Sequence, residues 1–126
     1  MATVELTADT LISTIEDNDA VFIDFWASWC GPCLRFAPVF EAASEKHPDV
    51  VFAKVDTEAN PELSAELQIQ AIPTLMAFRD GVLVYREAGA LGSAGFEQLI
   101  EAVKGIDVEE LRAQVAAARA EEESQE

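Results

Sequence analysis

The stretch Ile23–Cys33, "IDFWASWCGPC", decides the fold of this 126-residue chain. It begins in a dense apolar run of β-forming residues, which predicts a buried strand. Asp24 interrupts that run with an acid, and the only two cysteines of the chain, Cys30 and Cys33, follow at its end. An acid inside a buried strand and two thiols at its end form the combination that a function for this chain has to explain.

Strand and helix patterns alternate on both sides of this stretch. Apolar periodicity, N-cap residues and the Asp80-Gly81 turn signal define the predicted elements. We predict strands at 2–6, 20–27 and 49–56, helices at 7–19, 31–47, 60–69 and 93–105, and a hairpin over 73–87. This order predicts the α/β class with a central mixed β-sheet flanked by helices. Residues 106–126 predict an extra C-terminal helical segment that ends in a small acidic tail.

The composition limits the classes of function. The chain carries a net charge of −16, which argues against nucleic acid and anionic membrane surfaces as partners. No apolar run approaches the roughly 18 residues of a membrane span, and the N-terminal residues lack the basic and apolar regions of a secretory signal. We therefore expect a soluble, cytoplasmic, monomeric protein that does not associate with membranes.

The spacing of Cys30 and Cys33 admits three interpretations. A zinc site needs about four ligands, whereas the chain offers one cysteine pair and a single histidine, His47. A purely structural disulfide over so short a loop would restrict little of the unfolded chain. In the third interpretation, Cys30 lies at a helix N-terminus, where unpaired amides and the helix dipole lower a thiol pKa below its usual value of about 8.5. We favour thiol–disulfide exchange, with Pro32 suited to the first helical turn and Gly31 allowing a substrate backbone to approach.

Beyond the cysteine pair, the chain resembles the thioredoxin family. The matching residues are Asp24–Ala27, Trp29–Cys33, Pro38, Lys54, Asp56, Ile72–Thr74, Gly81 and Gly89–Leu91. The resemblance covers about residues 1–105 and implies a thioredoxin fold, so we expect a thioredoxin domain at 1–105 and a helical extension at 106–126. It also implies reduction of disulfides in target proteins, electrons from an NADPH-dependent thioredoxin reductase, and no bound cofactor or metal.

The resemblance implies a substrate groove beside the cysteines. It is formed by Trp29 as an exposed lip, by Ile72 and Pro73 joined through a cis peptide bond, and by Ala88 and Gly89. The base rate of a cis bond before proline is only about 5–6%, and the resemblance overrides it here. A bound peptide would then pair with the Ile72 backbone like a neighbouring strand.

Asp24 and Lys54 interrupt two neighbouring buried strands. Each could point to solvent at a strand end, but an isolated buried charge is costly, so we expect the two charges to lie near each other inside the protein. In the mechanism that we predict, the Cys30 thiolate attacks a target disulfide and Cys33 resolves the mixed disulfide. Asp24 accepts the proton that Cys33 has to lose for this second attack. The alternatives are a non-enzymatic binding module of the same fold and a disulfide oxidase or isomerase.

Overall fold

The computed structural model describes residues 2–125. Met1 and Glu126, the outer ends of the predicted segments 1–105 and 106–126, lie outside the described residues. The strands are β1 Thr3–Glu5, β2 Ala20–Trp26, β3 Val51–Asp56, β4 Thr74–Arg79 and β5 Val82–Ala88. The helices are α1 Ala8–Asp17, α2 Gly31–Lys46, α3 Pro61–Glu66, α4 Ser93–Lys104 and α5 Val108–Ser124. Every predicted element is present, and the α/β prediction is confirmed.

The five strands form one mixed sheet in the order β1-β3-β2-β4-β5. Strands β1 and β2 both run parallel to β3, whereas β4 is antiparallel to β2 and to β5. The β4–β5 hairpin turns at Asp80 and Gly81, whose φ angles of 55° and 77° are both positive. Such left-handed angles are what a tight two-residue hairpin turn requires, and they explain why this dipeptide predicts it.

The side chains of β2 alternate between two hydrophobic cores, one on each face of the sheet. Phe22 packs with the apolar faces of α2 and α4, while Val21, Ile23 and Phe25 pack with α1 and α3. Since successive side chains on a strand point to opposite faces, Asp24 shares the face of Phe22. Asp24 therefore lies on the α2 side of the sheet, which is also the side of the cysteine-bearing helix.

Two details of the helices differ from the sequence pattern. Ile12 has helical spacing with Leu11 and Ile15, but its side chain is 59% exposed while theirs are buried. Asn60 is the N-cap residue of α3, yet its side-chain amide donates to the Asp56 carbonyl oxygen at 3.0 Å instead of capping the helix. Both differences are local, and neither moves a predicted element.

The last helix, α5, lies exposed on the surface of the protein. None of its residues is buried. Its first turn is capped by the Asp107 carboxylate, which accepts from the backbone N–H groups of Glu109 and Glu110. Arg112 donates two hydrogen bonds to Asp80 in the hairpin turn, at 2.8 and 3.0 Å. Among the described helices, none is long and apolar enough to cross a membrane.

Candidate active site

The cysteine pair lies where β2 leads into α2. Cys30 is the N-cap residue of α2, and its sulfur accepts a hydrogen bond from the Cys33 backbone N–H at 3.2 Å. The two cysteines form a disulfide with their Cα atoms 5.2 Å apart. Both residues are buried, with 4% of Cys30 and 2% of Cys33 exposed. The backbone N–H that points at the Cys30 sulfur would stabilise the thiolate of the reduced form.

The two residues between the cysteines fit the start of the helix. Pro32 lies in the first turn of α2, where a missing backbone N–H leaves no hydrogen bond unmade. Gly31 has no positive φ, and a Cβ atom there would meet only the Arg35 guanidinium at 3.5 Å, an ordinary contact. The described part of the chain therefore does not itself require glycine at position 31. This agrees with the expectation that glycine lets the backbone of a bound target come close to the cysteines.

Asp24 is completely buried, and neither carboxylate oxygen has a hydrogen-bond partner within residues 2–125. Burial raises the pKa of Asp24 from 3.8 to about 6, and the positive charge of Lys54 opposes that rise. Lys54 lies directly opposite Asp24 in the register of the β2–β3 pair, as the sequence predicts. Its ammonium group lies 4.7 Å from the centre of the Trp26 ring. This cation–π contact engages the lysine without giving Asp24 a hydrogen bond.

The residues of the predicted groove come together around the disulfide. The Ile72–Pro73 bond is cis, as the family resemblance implies, and the Ile72 carbonyl oxygen lies 3.7 Å from the Cys30 sulfur. The Gly89 backbone N–H donates to the Pro73 carbonyl oxygen at 2.8 Å, which attaches the end of β5 to this segment. Trp29 is 68% exposed. Ala88, at the end of β5, is exposed as well.

Two residues of this region are not predicted from the sequence. Glu58 accepts a hydrogen bond from the Trp29 indole N–H at 2.6 Å and so orients the exposed ring. Trp26 is only half-buried, and its ring lies under the Lys54 ammonium. Glu58 follows β3 in a polar loop that carries no distinctive motif. Its contact with Trp29 depends on strand order. Because β3 lies next to β2, the loop after β3 and the loop after β2 come together.

The described residues include one group with the donor atoms for a metal, and it lies at the other end of α2. His47, Glu97 and Glu101 each place a ligand atom within 4.8 Å of the others. The His47 ring is already engaged on both sides, since Nε2 lies 2.8 Å from Glu97 and Nδ1 lies 3.2 Å from the Lys104 ammonium. Because Nδ1 accepts from Lys104, Nε2 carries the proton and donates to Glu97. The group therefore acts as a hydrogen-bonded link between α2 and α4.

A buried, closely spaced cysteine pair at a helix N-terminus defines a thiol–disulfide redox centre. Comparison with known proteins places that centre in a family. The thioredoxin family model matches residues 2–103. A Streptomyces coelicolor relative named as a thioredoxin is 50% identical over 115 residues, which span 91% of this chain and 86% of the relative. A thioredoxin of Mycobacterium tuberculosis is 44% identical over 95 residues, or 74% of this chain and 82% of that one.

Solved structures agree with the sequence comparison. A thioredoxin of Plasmodium falciparum superimposes with a TM-score of 0.71 at 34% identity, covering 79% of this chain and 96% of that one. The chain belongs to the thioredoxin family. It is a protein-disulfide reductase whose redox-active group is the Cys30–Cys33 pair, and the family works without a bound cofactor. Recycling by a thioredoxin reductase is typical of the family.

Proposed function

We propose that the chain reduces target disulfides through Cys30 as the attacking thiolate and Cys33 as the resolving thiol, with Asp24 as the proton acceptor. The observation that carries this assignment is the placement of Cys30 as the N-cap of α2, with the Cys33 backbone N–H donating to its sulfur. An attacking thiolate needs such stabilisation, whereas Cys33 lies one turn further into the helix and does not hold the N-cap position.

The reaction proceeds in two exchanges. The Cys30 thiolate forms a bond to one target sulfur, the target disulfide breaks, and the other target sulfur leaves as a thiolate that takes up a proton. Cys33 then gives its proton to Asp24 and attacks the Cys30 sulfur. The mixed disulfide breaks, the second target thiolate is released, and the Cys30–Cys33 disulfide remains. Two electrons have passed from the dithiol to the target.

Asp24 suits the proton-transfer step because of its environment. A general base is most effective when its pKa lies near the working pH. Burial raises the pKa of Asp24 to about 6, so near neutral pH the carboxylate is ionised yet has a strong affinity for a proton. Strand alternation places it on the same side of the sheet as α2. Lys54 limits the rise in pKa and so acts as a supporting residue.

The groove residues bind the target polypeptide in this proposal. Trp29 offers an exposed apolar surface beside Cys30, and Pro73 fixes the backbone that faces the disulfide. A target segment would pair with the Ile72 backbone and pass over Ala88 and Gly89. Gly31 and Pro32 form a short link between the cysteines, and Gly31 adds no side chain that would keep a target backbone away from the Cys30 sulfur.

We further propose a working division into a redox domain at 1–105 and a helical extension at 106–126. The light attachment of α5 supports this division, since none of its residues is buried. A reducing dithiol functions where the compartment keeps thiols reduced, which supports a cytoplasmic electron carrier in redox homeostasis. The net charge of −16 favours a monomer through repulsion between copies.

The test is turnover in a coupled assay that contains NADPH, a thioredoxin reductase and insulin as the disulfide substrate. We expect NADPH oxidation that requires all three components and this protein, and that a Cys30→Ser variant does not support. A non-enzymatic binding module would give no turnover with either the reductase or dithiothreitol as the electron source. That result would overturn the proposal.

A further inference from the structure

A second cleft shares Ala88 with the predicted substrate groove. It encloses about 270 Å³ and is bordered by Ala71, Thr74 and Ala88. Ala71 and Thr74 flank the cis bond along the chain, and Ala88 belongs to the groove itself. A polypeptide paired with the Ile72 backbone advances about 3.3 Å per residue, so the residues next to its reactive cysteine pass along the segment that borders this cleft.

The cleft contains a positively charged side chain that is held in place. The Arg86 guanidinium donates from Nη2 to the Gln68 carbonyl oxygen at 2.7 Å. Gln68 has a positive φ of 56°, an angle that is uncommon outside glycine and that turns this carbonyl toward the end of β5. In the described part of the chain, Arg86 forms no ion pair with a carboxylate. Most of the N–H donors of the planar Arg86 guanidinium are therefore available to a ligand.

The neighbouring acid on β5 faces the other side of the sheet. Glu87 also borders the cleft, but in the β4–β5 register it lies opposite Leu75, which faces the α2–α4 side of the sheet. Arg86 lies opposite Met76, which faces the α1–α3 side. The pKa of Tyr85 is raised first by burial and then by the charge of Glu87, which agrees with a shared face for those two residues. Arg86 is thus the charged group that strand alternation directs to the α3 side of this strand end.

We propose that this cleft is a subsite for the target polypeptide and that Arg86 binds a carboxylate side chain within two residues of the target's reactive cysteine. A guanidinium matches a carboxylate in shape and charge and binds it through paired hydrogen bonds. The rest of the chain is strongly acidic and repels acidic targets. A local cation next to the groove therefore discriminates among target segments. The inference rests on the proposed reduction of target disulfides.

The test uses two synthetic peptides, each closed by one disulfide, that differ only in glutamate or glutamine beside the cysteine. We expect the wild-type protein to reduce the glutamate peptide with a KM about threefold lower and an unchanged kcat, a size typical of an exposed ion pair. The preference should shrink as salt concentration rises. In Arg86→Gln the preference should fall to unity or below, while Arg86→Lys should retain part of it.

Arg119→Gln is the matched control, because it removes an exposed arginine from α5 and should leave the preference intact. The glutamine peptide monitors the redox site itself and should be reduced equally well by every variant. Equal KM values for the two peptides in wild type, or a preference that survives Arg86→Gln, would overturn the subsite while leaving disulfide reduction established. If neither peptide nor insulin is reduced by wild type, the proposed function fails and the subsite with it.

Discussion

Replacing Asp24 with asparagine should stabilise this protein near neutral pH, although it removes the proposed proton acceptor. Asp24 is completely buried, and burial raises its pKa from 3.8 to about 6 against the opposing charge of Lys54. The native state then binds this proton more tightly than the unfolded chain does. The ionised carboxylate therefore lowers the free energy of unfolding, starting near pH 3.8 and reaching its full effect near pH 6.

The size of the effect follows from the change in pKa. Each tenfold change in proton affinity corresponds to 1.36 kcal/mol, so a rise from 3.8 to about 6 amounts to about 3 kcal/mol. At about pH 3, protonated aspartate and asparagine are both uncharged and almost equal in size, so wild type and Asp24→Asn should then be similarly stable. Near pH 7 the variant should be more stable by about 3 kcal/mol.

Urea denaturation of both proteins across this pH range measures the difference directly. Asp17→Asn is the control, since it removes a surface carboxylate from the same acidic chain and should change the free energy of unfolding by no more than about 0.5 kcal/mol. The same Asp24→Asn variant should release targets from the mixed disulfide more slowly, toward the lower end of the roughly 10²–10⁴-fold contribution of a general base. A stability difference that is independent of pH, or release at the wild-type rate, would refute the reasoning.

Three further predictions concern the C-terminal extension, the ion pair between Arg112 and Asp80, and the redox potential. Truncation after Gly105 should lower the free energy of unfolding by less than about 2 kcal/mol and leave insulin reduction intact, because no residue of α5 is buried; a larger loss would reveal a packed helix. Asp80→Asn should accelerate amide hydrogen exchange in α5, since Arg112 then loses its charged acceptor, and unchanged exchange would show that the pair does not hold the helix. Thiol–disulfide equilibration with glutathione should give a reduction potential of about −270 mV, the value typical of thioredoxins. A value of about −120 to −180 mV would indicate an oxidase or isomerase.

Much of this fold is readable from the sequence because its signals are local. The apolar density of β2, the Asp80-Gly81 turn and the Pro32 start of α2 each act within a few residues, and each element lies where it is predicted. The closeness of Asp24 and Lys54 on neighbouring strands is predictable because a buried charge has few alternatives to a nearby partner. A charged residue in a buried strand has to be explained by its neighbours.

The features that are not predicted depend on contacts between distant loops. Glu58 meets Trp29 because β3 lies beside β2, and Arg86 meets Gln68 across the end of the sheet. Neither contact has a motif, since an exposed acid or arginine in a polar stretch has no preferred partner in the sequence. The exposure of Ile12 has the same origin, because helical periodicity defines an apolar stripe but does not say how wide the covered part of it is.

The most direct test of the central claim is the fate of the mixed disulfide in two single-cysteine variants. Reduced Cys33→Ser, mixed with an oxidised target, should form a stable covalent adduct, and mass spectrometry should locate its bond at Cys30, because attack proceeds while resolution does not. Cys30→Ser should form no comparable adduct, since its remaining thiol lies inside α2 and lacks the N-cap position that stabilises an attacking thiolate. An adduct at Cys33 in Cys30→Ser, or release of reduced target by Cys33→Ser at the wild-type rate, would contradict the order of attack on which the mechanism depends.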